Sequence, residues 1–160
     1  MRLKNTEISR YTPIINYRVK RSITLLDAFV KDTIMSTCTA TSTPGYPAAT
    51  LWWAHAVRRE DVVTAFRDLN ALLNEASDPI YVFVDLRERP NFPLADTLRG
   101  ALDGPFRHPM LKEWLVIGSS PTAHTIGRML SSITRRHNIK WFNTEDEAIA
   151  YLKSAVGRLV

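Results

Sequence analysis

Asp85 is the residue whose place in the sequence most favours binding or chemistry. It lies near the end of the apolar run 80–86, and open α/β sheets bind their ligands at the carboxyl ends of such buried strands. A phospho-acceptor or magnesium site would need further acids nearby, and the sequence supplies only Glu88 in the following loop. The alternative is that Asp85 caps the loop through hydrogen bonds to backbone amides. Arg87 and Arg89 make the same loop basic.

A second polar loop, residues 118–122, joins a predicted strand to a predicted helix. Backbone amides at a helix N-terminus favour anions, but the loop has neither a Gly-Lys-Ser/Thr ending nor a G-x-G-x-x-G pattern. Its hydroxyls are equally suited to capping the helix. Because parallel strands end at the same edge of a sheet, we expect the two loops to form one partner-binding or ligand-binding surface. Its predicted residues are Asp85, Arg87, Arg89, Ser119, Ser120 and Thr122.

The remaining reactive side chains form no recognisable motif. The four histidines have no i, i+4 pair and no neighbouring Cys or acidic ligands; they are His55, His108, His124 and His137. Cys38 is the single cysteine, which excludes an internal disulfide, and no pattern around it indicates a nucleophile. We therefore predict no catalytic residues, no metal site and no cofactor.

Composition and charge narrow the class of protein. The chain has 160 residues and a net charge of +5, which is the size of one ordinary domain. Residues 1–60 hold nine basic and four acidic residues, whereas residues 61–160 hold twelve of each. Nucleic acid is thus an improbable partner of the neutral part. No apolar stretch approaches the roughly 20 residues of a transmembrane helix, and the start lacks the apolar core of a signal peptide. We expect a cytoplasmic protein.

Hydrophobic periodicity predicts an α/β fold. Runs that are apolar on both faces alternate with helical patterns, which indicates a sheet covered by helices. The predicted strands are residues 51–57, 80–85, 114–118 and 139–142. In the helix before the last strand, Ile126, Met129 or Leu130, and Ile133 form the predicted buried stripe. The last helix is predicted over residues 145–157, with Thr144 as N-cap and Glu147 reaching back in a capping box.

The first third of the chain shows no consistent secondary-structure pattern. Residues 1–48 are basic, carry conflicting helix and strand periods, and end in a segment rich in Thr, Ser and Pro. We predict a poorly organised segment, or one extra strand or helix, over residues 1–48. An α/β domain would then occupy residues 49–160.

Four segments in one order resemble the SpoIIAA-like branch of the STAS superfamily. They are 51–57 with 60–63, 79–85, 108–118 and 142–152, the last including Thr144-Glu145-Asp146-Glu147-Ala148 before an aromatic-Leu pair. The resemblance covers residues 49–159 and implies a mixed sheet of four to five strands with helices mainly on one face. It further implies a non-enzymatic module that binds protein partners or a small apolar ligand. The family's phosphorylatable Asp-Ser-Ser-Gly is replaced here by residues 91–97, which contain no serine, so sigma-factor regulation is not carried over.

The sequence is compatible with two functions. The first is a regulatory, STAS-like protein-interaction module without catalysis, which binds a protein partner, a second copy of the chain as a homodimer, or a small apolar or anionic ligand. The second is a small-molecule-binding or phosphate-binding α/β domain, with or without catalysis, that uses the loops after Asp85 and Gly118. An enzyme should gather at least two titratable groups in a pocket at one end of the sheet.

Overall fold

The computed structural model describes residues 38–43 and 45–157. The predicted basic segment therefore lies largely outside the described residues, and the boundary at residue 48 stays a prediction. The described strands are β1 Cys38–Ser42, β2 Ala48–Trp53, β3 Ile80–Asp85, β4 Leu111–Ile117 and β5 Ile139–Phe142. The described helices are α1 Arg59–Glu75, α2 Leu94–Asp103, α3 Pro121–Thr134 and α4 Glu145–Gly157, with a short 3-10 turn at Pro105–Arg107.

The five strands form one mixed sheet in the order β1-β2-β3-β4-β5. β1 pairs antiparallel with β2, and the other neighbours are parallel. β2, β3 and β4 are each followed by a helix and then by the adjacent parallel strand, always in the same direction across the sheet. Since such crossovers are right-handed in nearly all proteins, α1, α2 and α3 fall on the same face. The helices are thus mainly on one face, as predicted.

The sheet is buried on both faces, which explains its continuous apolar runs. On β4, Val116 packs in the main core with α1 and α3, whereas Leu115 packs on the opposite face with Ala148 and Leu152 of α4. Leu115 and Leu152 have no exposed surface. Full burial of such a leucine contributes about 1.5–3 kcal/mol to the free energy of folding. By covering the second face of the sheet, α4 therefore stabilises the fold. The prediction of an α/β fold with a covered sheet is confirmed.

The predicted bounds of two strands were wrong. β2 spans Ala48–Trp53 rather than residues 51–57, because its pairing with β3 ends at Trp52 opposite Asp85. His55 and Ala56 are exposed, and the alternation that extends to Val57 belongs to the approach to α1. β4 begins at Leu111 and ends at Ile117 rather than spanning residues 114–118, since Gly118 has φ of +89°.

Candidate binding site

The loops after β3 and β4 leave the sheet side by side. The amide of Leu86 donates to the carbonyl oxygen of Ile117 at 2.9 Å. A Cβ on Gly118 would lie 3.2 Å from the carbonyl carbon of Leu86. Only a glycine combines this close approach with a positive φ without strain. Gly118 therefore sets the distance between the two loops that contain the predicted site residues.

Asp85 is held within its own loop. Its carboxylate accepts hydrogen bonds from the Arg87 amide at 3.0 Å and from the Arg87 guanidinium. The guanidinium also donates to Glu145, the first residue of α4, at 3.0 Å. Both predicted residues thus make intramolecular contacts that join β3 to α4. That Asp85 and Arg87 also bind a partner stays a prediction.

The ion pair decides the ionisation of Asp85. Burial alone would raise the pKa of this carboxyl, but the hydrogen bonds and charge of Arg87 outweigh burial and hold the pKa below its ordinary value. The hydrogen bond to Asp85 in turn raises the pKa of Arg87. Asp85 is therefore ionised and paired, which suits a structural anchor better than a general base.

The other four predicted residues lie together. Arg89, Ser119, Ser120 and Thr122 line one shallow surface depression. Ser120 is buried, and its hydroxyl accepts from the amide of Ala123 and donates to the carbonyl oxygen of Pro90. Ser120 is thus the N-cap of α3. Arg89 is exposed and has a φ of 49°, a left-handed conformation that is uncommon for a residue with a side chain.

A separate cavity lies between the sheet and helices α1–α3. It has a volume of about 80 Å³, and no charged side chain lines it. Leu51 and Val116 form part of its floor on the sheet, and Phe66 closes it from α1. None of the six predicted site residues lines this cavity, so the sequence analysis missed it.

Small residues on the covering helices create the cavity. Ala101 of α2, and Ala123 and Gly127 of α3, all line it. The predicted stripe of α3 was wrong at Ile133, which is 50% exposed. Ile126 and Leu130 of the predicted stripe are buried, and Ala123 and Gly127 line the cavity beside them. Alanine and glycine at positions of the buried stripe are the signal that could have indicated the space.

Trp141 separates the cavity from a surface groove between α3 and β5. Gly127, Ile139 and Trp141 line both spaces. His124 stacks on the Trp141 ring with 3.8 Å between ring centroids. No residue of β5 is fully buried, and this strand forms the edge of the sheet. On this side, the half-buried Trp141 and its two neighbours are all that line both the cavity and the groove.

Metal and nucleophile chemistry find no support in the described part of the chain. No group of three or more His, Cys, Asp or Glu residues there could hold a metal ion. Burial, with a smaller contribution from Asp61, raises the pKa of the Cys38 thiol to about 11. The thiol is therefore protonated near neutral pH and is not an activated nucleophile. No helix among the described residues has the length and apolar character needed to cross a bilayer.

Comparison with known structures settles the fold. The chain is similar to an uncharacterised protein of the DUF3478 family from Shewanella loihica, which has a SpoIIAA-like fold. The TM-score is 0.51 at 17% sequence identity, and the match covers 72% of this chain and 91% of the other. The fold is SpoIIAA-like. No protein-family profile and no curated protein matches the sequence. The resemblance noted in the sequence is thereby confirmed at the level of the fold.

Proposed function

We propose that this protein is a non-catalytic binding module of the STAS-like type that holds a small apolar ligand between its sheet and helices α1–α3. The apolar cavity of about 80 Å³ is the observation that carries the proposal. Protein interiors are close-packed, with few voids larger than a water molecule. An engineered apolar cavity of about 150 Å³ in another protein binds benzene. The present cavity has about half that volume, so a compact ligand enters only when the wall at Trp141 moves outward.

The composition of the cavity wall supports binding without catalysis. Aliphatic and aromatic groups form nearly all of it, and no carboxylate, imidazole, thiol or ammonium group lines it. General acid–base catalysis requires such a group within reach of the substrate. The one hydroxyl residue among the lining residues, Thr97, has no base beside it in the wall to activate it as a nucleophile. The wall at Trp141 provides the access route, since a short edge strand can open locally at small free-energy cost.

Filling the cavity tests the proposal. Ala123→Leu places a larger side chain at the cavity wall, and Ala150→Leu makes the same change at an exposed position of α4. We expect methylenecyclopentane to shift the methyl NMR signals of Leu51, Ile126 and Leu130 saturably in the parent and in Ala150→Leu. In folded Ala123→Leu the shifts should be lost. A parent protein whose signals do not respond, or equal binding by Ala123→Leu, would contradict the proposal.

A second candidate function is recognition of an acidic or phosphate-bearing group of a protein partner at the surface depression. Arg89, Ser119 and Thr122 line it at the N-terminus of α3, where backbone amides favour anions. Among the ion pairs of the described residues, Arg87 is engaged with two acids and Arg89 with none. Arg89 is therefore the arginine of this loop whose charge is not already engaged in an ion pair. The protein partner and the cytoplasmic location stay predictions.

An anion titration tests this second candidate. Phosphoserine should shift the amide NMR signals of Ser119 and Thr122, and Arg89→Ala should weaken its binding severalfold because a charge-assisted hydrogen bond is lost. Arg99→Ala, an exposed change on α2, is the control and should bind like the parent. Equal affinities for the parent and Arg89→Ala would exclude this role for Arg89.

A further inference from the structure

The surface groove between α3 and β5 lies in a strongly basic part of the chain. Between Glu113 and Glu145 the sequence contains four basic residues and no acidic one. The rest of residues 61–160 holds eight basic and twelve acidic residues. The neutral sum over residues 61–160 therefore conceals a separation of charge. The four basic residues are Arg128, Arg135, Arg136 and Lys140. None of these takes part in an ion pair among the described residues.

The groove itself combines basic and apolar side chains. His124 and Arg128 line it from α3, and His137 lines it from the turn before β5. Ile139 and Trp141 contribute apolar surface from β5, and both are half-buried. No carboxylate lines the groove. A ligand with negative charges and apolar groups would therefore complement this surface.

The groove is bordered by backbone groups at the edge of the sheet. β5 bonds its neighbour through the carbonyl oxygens of Asn138 and Phe142, which accept from amides of β4 and the following loop at 2.8 and 3.0 Å. A parallel strand bonds one neighbour through alternate residues. The N–H and C=O groups of Ile139 and Trp141 therefore point away from β4, and β5 is the edge strand of the described sheet. Such an edge is a template for pairing with another chain.

We infer that the groove between α3 and β5 binds an extended acidic segment of a protein partner, which pairs its main chain with Ile139 and Trp141 and places a carboxylate near Arg128. In recognition by strand addition, main-chain hydrogen bonds supply affinity and the side chains supply specificity. This inference does not depend on the cavity or its ligand.

Two other occupants fit the groove less well. A second copy of this chain would place two positive edges against each other, and like charges on facing strands are destabilising. A nucleic acid would match the charge, but it has no peptide main chain that could continue the sheet. An acidic peptide satisfies both the charge and the backbone groups.

A synthetic peptide tests the charge. The probe is fluorescein-labelled Glu-Val-Glu-Val-Glu-Val-Glu, and its control has Lys in place of every Glu. We expect saturable binding of the acidic peptide at about 0.15 M salt and none of the basic one, measured by fluorescence polarisation. Arg128→Glu should weaken binding severalfold because repulsion replaces attraction. Arg99→Glu, an exposed change on α2, is the matched control and should bind like the parent.

Amide hydrogen exchange tests the main-chain pairing. NMR should show that the acidic peptide slows exchange at the amides of Ile139 and Trp141, which point to the edge. The amides of Lys140 and Phe142 face β4 and serve as internal controls, whose exchange should change less.

Four outcomes would overturn the inference. They are failure of the peptide to bind, binding without slower exchange at Ile139 and Trp141, equal effects of Arg128→Glu and Arg99→Glu, and tighter binding of an oligothymidylate of the same charge. Slower exchange at these two amides on raising the protein concentration without peptide would assign the edge to a second copy and contradict the inference as well. The cavity is tested separately with methylenecyclopentane, so none of these results affects it.

Discussion

Asp85 shows how a residue in a typical functional position can serve the fold. It lies at the carboxyl end of a central strand, and its buried side chain bonds both the amide and the guanidinium of Arg87. Arg87 extends the contact to Glu145 on the opposite side of the sheet from α1–α3. The aspartate therefore anchors the loop after β3, and through Arg87 it also anchors the start of α4.

Asp85→Asn tests this role through the pH dependence of stability. The pKa of Asp85 in the folded protein lies below its ordinary value of 3.8, so the folded state favours the ionised form. Its contribution is present at pH values above 3.8 and is lost as the pH falls through the folded pKa. We expect Asp85→Asn to lower the free energy of unfolding by about 1–3 kcal/mol at neutral pH, with the difference shrinking in acid.

Urea titrations from neutral to acidic pH measure this difference. Asp68→Asn is a matched control, because Asp68 pairs with Arg67 at the exposed surface of α1, where such pairs contribute little. A difference between the parent and Asp85→Asn that stays constant into strong acid would show that the ionised carboxylate is not what stabilises the loop.

At the scale of elements, α4 depends on its first turn more than the other helices do. Along the chain, α1, α2 and α3 each connect two strands of the sheet, so both of their ends are fixed. In contrast, only the start of α4 is connected to a strand. The amide of Glu147 donates to the Thr144 hydroxyl at 3.3 Å, which confirms Thr144 as the N-cap. Glu147 reaches back as predicted, but its carboxylate accepts from the amide of Asn143 at 3.0 Å rather than from Thr144.

Thr144→Ala should therefore lower the free energy of unfolding by about 0.5–2 kcal/mol, the usual effect of removing an N-cap side chain. Thr64→Ala, at an exposed position inside α1, should be neutral or slightly stabilising because alanine is the better helix former. Circular dichroism during urea unfolding measures both. If Thr144→Ala and Thr64→Ala have the same effect, the cap does not stabilise α4.

At the scale of the whole molecule, the cavity is a product of the packing of several elements. β2, β3, β4, β5, α1, α2 and α3 all contribute residues to its wall. Three connecting helices on one face leave a long seam over the sheet, and the small residues Ala101, Ala123 and Gly127 keep that seam open at its centre. On the second face, Ala148 and Leu152 of α4 are fully buried and pack with Leu115 of β4.

The sequence by itself determined the α/β class, the core strands and the last helix of this protein. Ile80–Asp85 is predictable because a strand buried on both faces needs an uninterrupted apolar run. Glu145–Gly157 is predictable because its cap and its helical period lie within one short segment. Both features depend on residues that are neighbours along the chain, and local patterns report such features directly.

Only the tertiary structure decided where β2 ends, what Arg87 binds and where the cavity lies. The end of β2 depends on pairing with Asp85, which is about 30 residues away along the chain. Arg87 is occupied by Glu145, 58 residues later. The cavity depends on the summed volumes of side chains from seven strands and helices. Periodicity contains no information on these distances, because they are set when the helices pack on the sheet.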